Sequence, residues 1–295
     1  MSTPSPEVLP RVSDADRPVV GCVPYLNAKP LIHGLEDTGT PVLLDVPSRL
    51  VDRLRRGECD LALCSVYDAC RDPGLEIVPV GAIGCAGPTW TVRLFSRVPI
   101  ECISRVHLDM DSHTSVMLLR ALLAERFGVT PGTVDFDFAQ GKLPEDAEAL
   151  LLIGDKVVTS PPPPEVFSYS LDLGEQWHAW TGGPFVFAAW LTRRGTQLGD
   201  IPARLAALRN ANLKPNAVEV LLDRYAAAHG WPRDLARDYW TGVLRFGFGD
   251  AELDAVARFT EACARWITAE HEHTTLGPVR LPSVAEGFDV AAPKR

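Results

Sequence analysis

A chain of 295 residues, 46% hydrophobic and 23% charged, has ordinary globular composition and length for about two domains, which excludes disordered, collagen-like and coiled-coil chains. With 29 Lys+Arg against 38 Asp+Glu, the formal net charge is −9 and no basic block stands out. That argues against nucleic acid and anionic membrane as partners, and leaves room for a local site that takes a small anion.

Residues 1–16 are rich in Ser, Pro and Asp without an apolar core, so they read as a flexible leader and not a signal peptide. A buried strand is predicted at 19–23, a helix at 30–36 and a second strand at 42–46. Ser48 reads as the N-cap of a helix over 49–56, and Gly57 as its stop. Strands follow at 61–64, ending before Ser65, and at 77–80. This alternation implies βαβ units and a mostly parallel sheet. The Gly/Pro-rich stretch 81–88 reads as a break ahead of an extended run, 89–97. Next come a strand at 106–109, a helix capped by Ser112 with Val116, Leu119, Leu123 and Phe127 on one face, and strands at 134–138 and 149–153. The prolines at 161–164 mark a loop. Thr181-Gly182-Gly183-Pro184 is a turn into a second apolar run, 185–192. Beyond residue 198 the pattern is helical, at 201–212, 216–229, 233–239 and 251–269, and 277–295 is expected to be a flexible tail.

One arrangement accounts for this order. A first α/β lobe, 17–92 and 191–276, is interrupted by an inserted α/β lobe, 93–190, with the runs 89–97 and 185–192 as hinge strands between them. A cleft between such lobes holds the ligand, near strand ends and helix N-termini. The seven cysteines, odd in number and without C-x-x-C, read as small buried hydrophobes in a reducing, cytoplasmic setting. No apolar run reaches the roughly 20 residues of a membrane helix. Zinc-finger spacing, G-x-S-x-G, P-loop, H-E-x-x-H and dinucleotide fingerprints are all missing, so no metal or cofactor is expected. His271-Glu272-His273 reads as a solvated face.

The informative residues lie at turns. Asn27, in Tyr25-Leu26-Asn27 after the first strand, can donate and accept, either as a helix cap or toward a ligand. Ser112-His113-Thr114-Ser115 brings three hydroxyls to a helix N-terminus, which suits either an anion or a plain cap. Asp155, in Leu152-Ile153-Gly154-Asp155, is either a cap or an inward-facing polar group. Trp177 and Trp180 face the cleft or the core, and Gly182 suits a helix C-cap.

Taken in order, Val20-Gly21, Tyr25-Leu26-Asn27 with Pro30-Leu31, Asp60-Leu61-Ala62-Leu63, Leu94-Phe95-Ser96 with Pro99, Leu108-Asp109 with Thr114-Ser115-Val116, Leu152-Ile153-Gly154-Asp155, Asp172-Leu173-Gly174, Trp177, Thr181-Gly182, Pro184-Phe185-Val186-Phe187-Ala188 and Trp190 span 19–190. Together they resemble the MqnA group of the MqnA/MqnD family, the chorismate dehydratases of futalosine-dependent menaquinone biosynthesis. The resemblance implies a type II periplasmic-binding-protein-like fold. It implies a hydro-lyase that turns chorismate, a dianion, into 3-[(1-carboxyvinyl)oxy]benzoate plus water, with no cofactor. It places Asn27 and Thr91, where serine is usual, in catalytic positions. Ser65, Ser112, His113 (where Arg is common), Thr114, Ser115, Asp155, Thr181 and Gly182 become substrate-binding candidates. Because the ring becomes aromatic, positioning and electrostatics carry most of the catalysis. The substrate's own enolpyruvyl carboxylate is the expected proton acceptor, with Asp155 or His113 as the competing base. The alternatives are a non-catalytic binder of small carboxylates and a diverged homologue acting on a related cyclic carboxylate.

Overall fold

Strands of two to eleven residues, most of them apolar runs, make up the sheets of the computed structural model, which describes residues 18–109, 111–138, 142–267 and 283–285. The first elements are β1 (Val20–Cys22), α1 (Lys29–Ile32), β2 (Val42–Leu44), α2 (Pro47–Arg55), β3 (Leu61–Ser65), α3 (Val66–Arg71) and β4 (Leu75–Cys85). There follow β5 (Val92–Ser96), β6 (Arg105–Asp109), α4 (His113–Phe127), β7 (Gly132–Phe136), β8 (Ala149–Ile153), α5 (Lys156–Thr159), β9 (Tyr169–Asp172) and α6 (Leu173–Thr181). The chain ends in β10 (Phe185–Arg193), α7 (Ile201–Asn212), α8 (Pro215–Tyr225), α9 (Arg233–Asp238), a π-helical turn at Tyr239–Val243, β11 (Leu244–Arg245), α10 (Asp250–Ile267) and β12 (Ser283–Val284).

Two sheets result. One has seven strands in the order β11-β4-β10-β3-β1-β2, with β12 also on β4; the other has five, in the order β7-β6-β8-β5-β9. In the first, β1 runs parallel to β2 and β3. In the second, β6 runs parallel to β7 and β8. Parallel neighbours need crossover connections, and α2 and α4 supply them. The strands β3 and β8 are buried along their whole length, as continuous apolar runs between covering layers must be. All of β5 to β9 lies in the second sheet, so the chain leaves the first sheet after β4 and returns with β10.

The sequence expectations shift in several places. The runs 89–97 and 185–192 each become a strand wholly within one sheet, β5 and β10. The chain therefore changes sheet in the short segments 86–91 and 182–184. The apolar residues of β10 pair with β3 on one side and β4 on the other, which puts that run in the middle of a sheet. The stretch 81–88 is not a break before Cys85, because glycine lets β4 continue. A Cβ on Gly84 would stand 2.6 Å from the Phe185 carbonyl oxygen. Helix α2 starts at Pro47, whose missing N–H suits a first turn, so Ser48 lies inside the helix and does not cap it. The predicted helix 30–36 reduces to α1 flanked by single 3-10 turns, and 216–229 ends as α8 at Tyr225. Trp177 is core: it is 1% exposed, packs on Phe185 and Phe259, and donates to the Pro184 carbonyl at 2.8 Å. Six cysteines are buried and Cys102 is exposed; burial pushes the Cys22 thiol up to about 12. The expected flexible ends and His271-Glu272-His273 lie outside the described residues. Among the described residues, no helix is long and apolar enough to cross a membrane.

Gly84→Ala should lower stability by about 1–3 kcal/mol through overpacking against the β10 backbone. A urea midpoint matching the parent's would show that β4 and β10 can part without cost.

Candidate functional site

The carboxyl ends of β1, β3 and β8 and the N-terminus of α4 converge between the two sheets. Val23, Tyr25, Asn27, Pro47, Ser65, Ile83, Thr89, Thr91, Val92, Ser112, Ser115, Ile153, Gly154, Phe187 and Ala188 line one cavity there. Strand ends and a helix N-terminus are where α/β folds bind ligands. The walls are largely aliphatic, with buried hydroxyls from Ser65, Thr89, Thr91, Ser112 and Ser115. Among the described residues, no Asp, Glu, His, Lys or Arg lines it. Its free volume is about 50 Å³. Small-molecule sites start at ~300 Å³, so the free space here is small.

Polar contacts join the two lobes beside the cavity. Ser65 bonds the Thr114 hydroxyl and accepts from the Thr114 backbone N–H at 2.7 Å, while the Tyr67 N–H donates to Thr114 Oγ1 at 3.2 Å. His113 Nδ1 meets Asp68 Oδ1 at 2.8 Å. Asp155, just past β8, accepts from the Leu26 N–H at 3.0 Å, from His229 Nδ1 at 3.0 Å and from Trp231 Nε1 at 3.1 Å. The Tyr25 hydroxyl donates to Asp111 at 3.4 Å, and the Ser48 N–H to the Asp111 carbonyl at 3.1 Å.

The structure sorts the candidates by these contacts. Asn27 is no helix cap, since Ala28 holds that position before α1. It lines the cavity, and its buried Oδ1 has no partner. Thr91 lines the cavity with its hydroxyl 2.6 Å from the Tyr239 hydroxyl. Ser112 caps α4 by accepting from the Ser115 N–H at 3.3 Å, and both serines face the cavity. Ser65 lines it too, with its oxygen engaged by Thr114. His113, Thr114, Asp155, Thr181 and Gly182 are not among the lining residues. Thr181 donates to the Trp177 carbonyl at 3.0 Å, and Gly182, at φ 70°, closes α6 in the left-handed conformation that favours glycine. The sequence reading missed Thr89 and Tyr239. Thr89 carried the signal of a second hydroxyl two residues before Thr91. Tyr239 carried none, being one buried aromatic in a helical stretch.

The segment between the sheets is held by Asp172, the N-cap of α6. Its carboxylate accepts the N–H groups of Thr89 at 2.9 Å and Trp90 at 2.7 Å. Trp90 takes φ 64°, a costly conformation for a bulky side chain. Electrostatics near the cavity are set by burial. It pushes the Asp109 carboxyl up even though Lys156 Nζ lies 2.6 Å away. Burial pushes the His113 imidazole down, but the Asp68 carboxylate outweighs it and the net direction is up. No group of three His, Cys, Asp or Glu side chains is placed to hold a metal among the described residues.

Two α/β lobes, two chain crossings and a cavity between strand ends define a periplasmic-binding-protein-like fold. A Candida albicans protein described as exhibiting the generic periplasmic binding protein fold superposes with a TM-score of 0.53, at 10% identity, covering 93% of this chain and 99% of its own. Protein AF1704 of Archaeoglobus fulgidus superposes at 0.61, with 16% identity over 85% of this chain and 97% of its own. In sequence, the family described as menaquinone biosynthesis matches residues 18–265. The chorismate dehydratase of Thermus thermophilus is 33% identical over 194 residues, 60% of this chain and 70% of that protein. The chain belongs to this menaquinone-biosynthesis family, in the MqnA group that its motifs resemble.

A raised imidazole pKa makes the His113–Asp68 contact a pH-dependent one. Its contribution is fully present below the unfolded value near ~6.5 and is lost as pH rises through the folded value. The urea-midpoint difference between the parent and His113→Gln should therefore be largest near pH ~6 and shrink toward pH ~9. A difference independent of pH would mean that the ion pair contributes nothing.

Proposed function

We propose that the protein is a chorismate dehydratase, releasing 3-[(1-carboxyvinyl)oxy]benzoate and water. The observation that carries this reading is the cavity itself: aliphatic walls, neutral hydroxyl donors and one unpartnered acceptor, Asn27 Oδ1, in a chain of this family. The named activity of the Thermus thermophilus relative points the same way. In this reading the inserted lobe runs from β5 to α6, 92–181, and β10 belongs with the first lobe, whose sheet it joins.

The ring carbon bearing the ether loses its proton, and the C–H electron pair enters the ring. The neighbouring C–O bond breaks, and the departing hydroxyl leaves as water once it has gained a proton. Aromatisation drives the step, so the protein supplies position and electrostatics. The hydroxyls of Ser112, Ser115 and Ser65 and the positive end of α4 face the dianion's carboxylates. Asn27 and Thr91 orient the leaving hydroxyl. Asp155 has its oxygens taken by N–H donors, and His113 is bonded to Asp68. Both observations support proton transfer to the substrate's own enolpyruvyl carboxylate.

Incubation with chorismate should yield an aromatic product about 18 Da lighter, the mass of one water, and Asn27→Ala should slow its formation at least ~10-fold. Tight binding without product would make the protein a binding module and overturn the reading. Asp155→Asn and His113→Asn should keep turnover while weakening substrate binding. If either abolishes turnover and leaves binding intact, that residue is the base.

A further inference from the structure

We propose that Tyr239 is a positioning residue that sets the hydrogen-bond polarity of Asn27 and Thr91, so that the cavity offers one acceptor and one donor to a substrate hydroxyl. The inference rests on the function proposed above and deepens it, by naming what reads the hydroxyl that leaves.

Tyr239 opens the π-helical turn and is fully buried. Such turns are rare and recur at functional sites. Its ring packs against two indoles that lie nearly parallel to it. Trp231 stacks at 4.7 Å between centroids and 18° between planes, and Trp90 at 6.1 Å and 14°. Each tryptophan is itself anchored, Trp231 through its Nε1–H to Asp155 and Trp90 through its backbone N–H to Asp172. The phenol oxygen therefore stays where it is, 2.6 Å from Thr91 Oγ1, with the Asn27 side chain near enough to influence it.

The protons can be assigned by inventory. Asn27 Oδ1 has no partner, so the Asn27 amide NH₂ is assigned to the side of the phenol oxygen. A phenol that accepts from the amide sends its own proton to Thr91 Oγ1. The protein acceptor for the Thr91 proton is the Thr89 carbonyl at 3.4 Å, longer than the ~2.5–3.0 Å of an ordinary O–H···O bond. The Thr91 O–H thus remains a donor for the cavity, and Asn27 Oδ1 an acceptor. A hydroxyl group accepts and donates at once and completes both bonds. The aromatic product has lost that hydroxyl and leaves a buried donor and acceptor unpaired, which weakens its hold. Burial of the phenol, which pushes its pKa well up, keeps the proton in place.

Tyr239→Phe keeps both ring stacks and deletes only the phenol O–H. The expected result is kcat roughly 10- to 100-fold lower. Calorimetry should show a weaker chorismate affinity and an unchanged affinity for the aromatic product, so that the preference for substrate over product collapses. Thr91→Val, which probes the same chain from the cavity side, should do likewise, and Thr91→Ser should not. The double variant Tyr239→Phe/Thr91→Val should be no worse than the poorer single one. Substrate and product affinities that fall together, or an unchanged preference in Tyr239→Phe, would overturn the inference. A wild-type protein that never forms product overturns the proposed reaction, whereas wild-type turnover with an undisturbed preference in the variant overturns only the role of Tyr239.

Discussion

The carboxylate of Asp155 is the interaction on which the junction of the lobes depends. It stands at the end of β8 in the inserted sheet, yet the N–H groups it accepts come from Leu26, His229 and Trp231, two separate stretches of the other lobe. A largely buried carboxylate must be satisfied by donors, and buried N–H groups must be satisfied by acceptors. One side chain meets both demands. It thereby sets how the turn carrying Asn27, the C-terminal helices and the second sheet lie against one another. The bonds of Thr114 to Ser65 and of His113 to Asp68 extend the same seam at the start of α4.

From that seam follows the character of the cavity. The charged groups nearby are spent on each other across the junction, and the hydroxyls face inward. An acidic chain of net charge −9 thus presents a neutral, donor-rich interior, to which the end of α4 adds positive potential without a cation. Such a site fits the proposed dianionic substrate, because a protein carboxylate in the cavity would repel it.

The aromatic layer Trp90–Tyr239–Trp231 does the corresponding work beside Thr91 and Asn27 on the cavity wall. It joins the segment between the sheets, the π-helical turn and the loop before α9, which are far apart in the chain. The left-handed backbone at Trp90 is the local cost of that layer, offset by the stack and by the Asp172 carboxylate beneath it. Strain of this kind persists only where the surroundings over-determine it.

The chain by itself determined the α/β alternation, the strands at β1, β3, β6 and β8 and the capped helix α4, and it marked Asn27, Ser112 and Ser115, which packing brings to one cavity. These are local signals: apolar period, cap chemistry and short motifs act over a few residues and need no partner. Tertiary structure alone decided that 185–192 is the centre of a sheet, since the same apolar run serves equally as a crossing until β3 and β4 flank it. It decided that Asp155 and His113 join the lobes and do not face the cavity, and that Thr181 and Gly182 simply end a helix. It also brought Tyr239 to Thr91 across 148 residues of chain. Whether a polar side chain meets a ligand or another part of the protein depends on which donors and acceptors packing places beside it, and no local pattern encodes that.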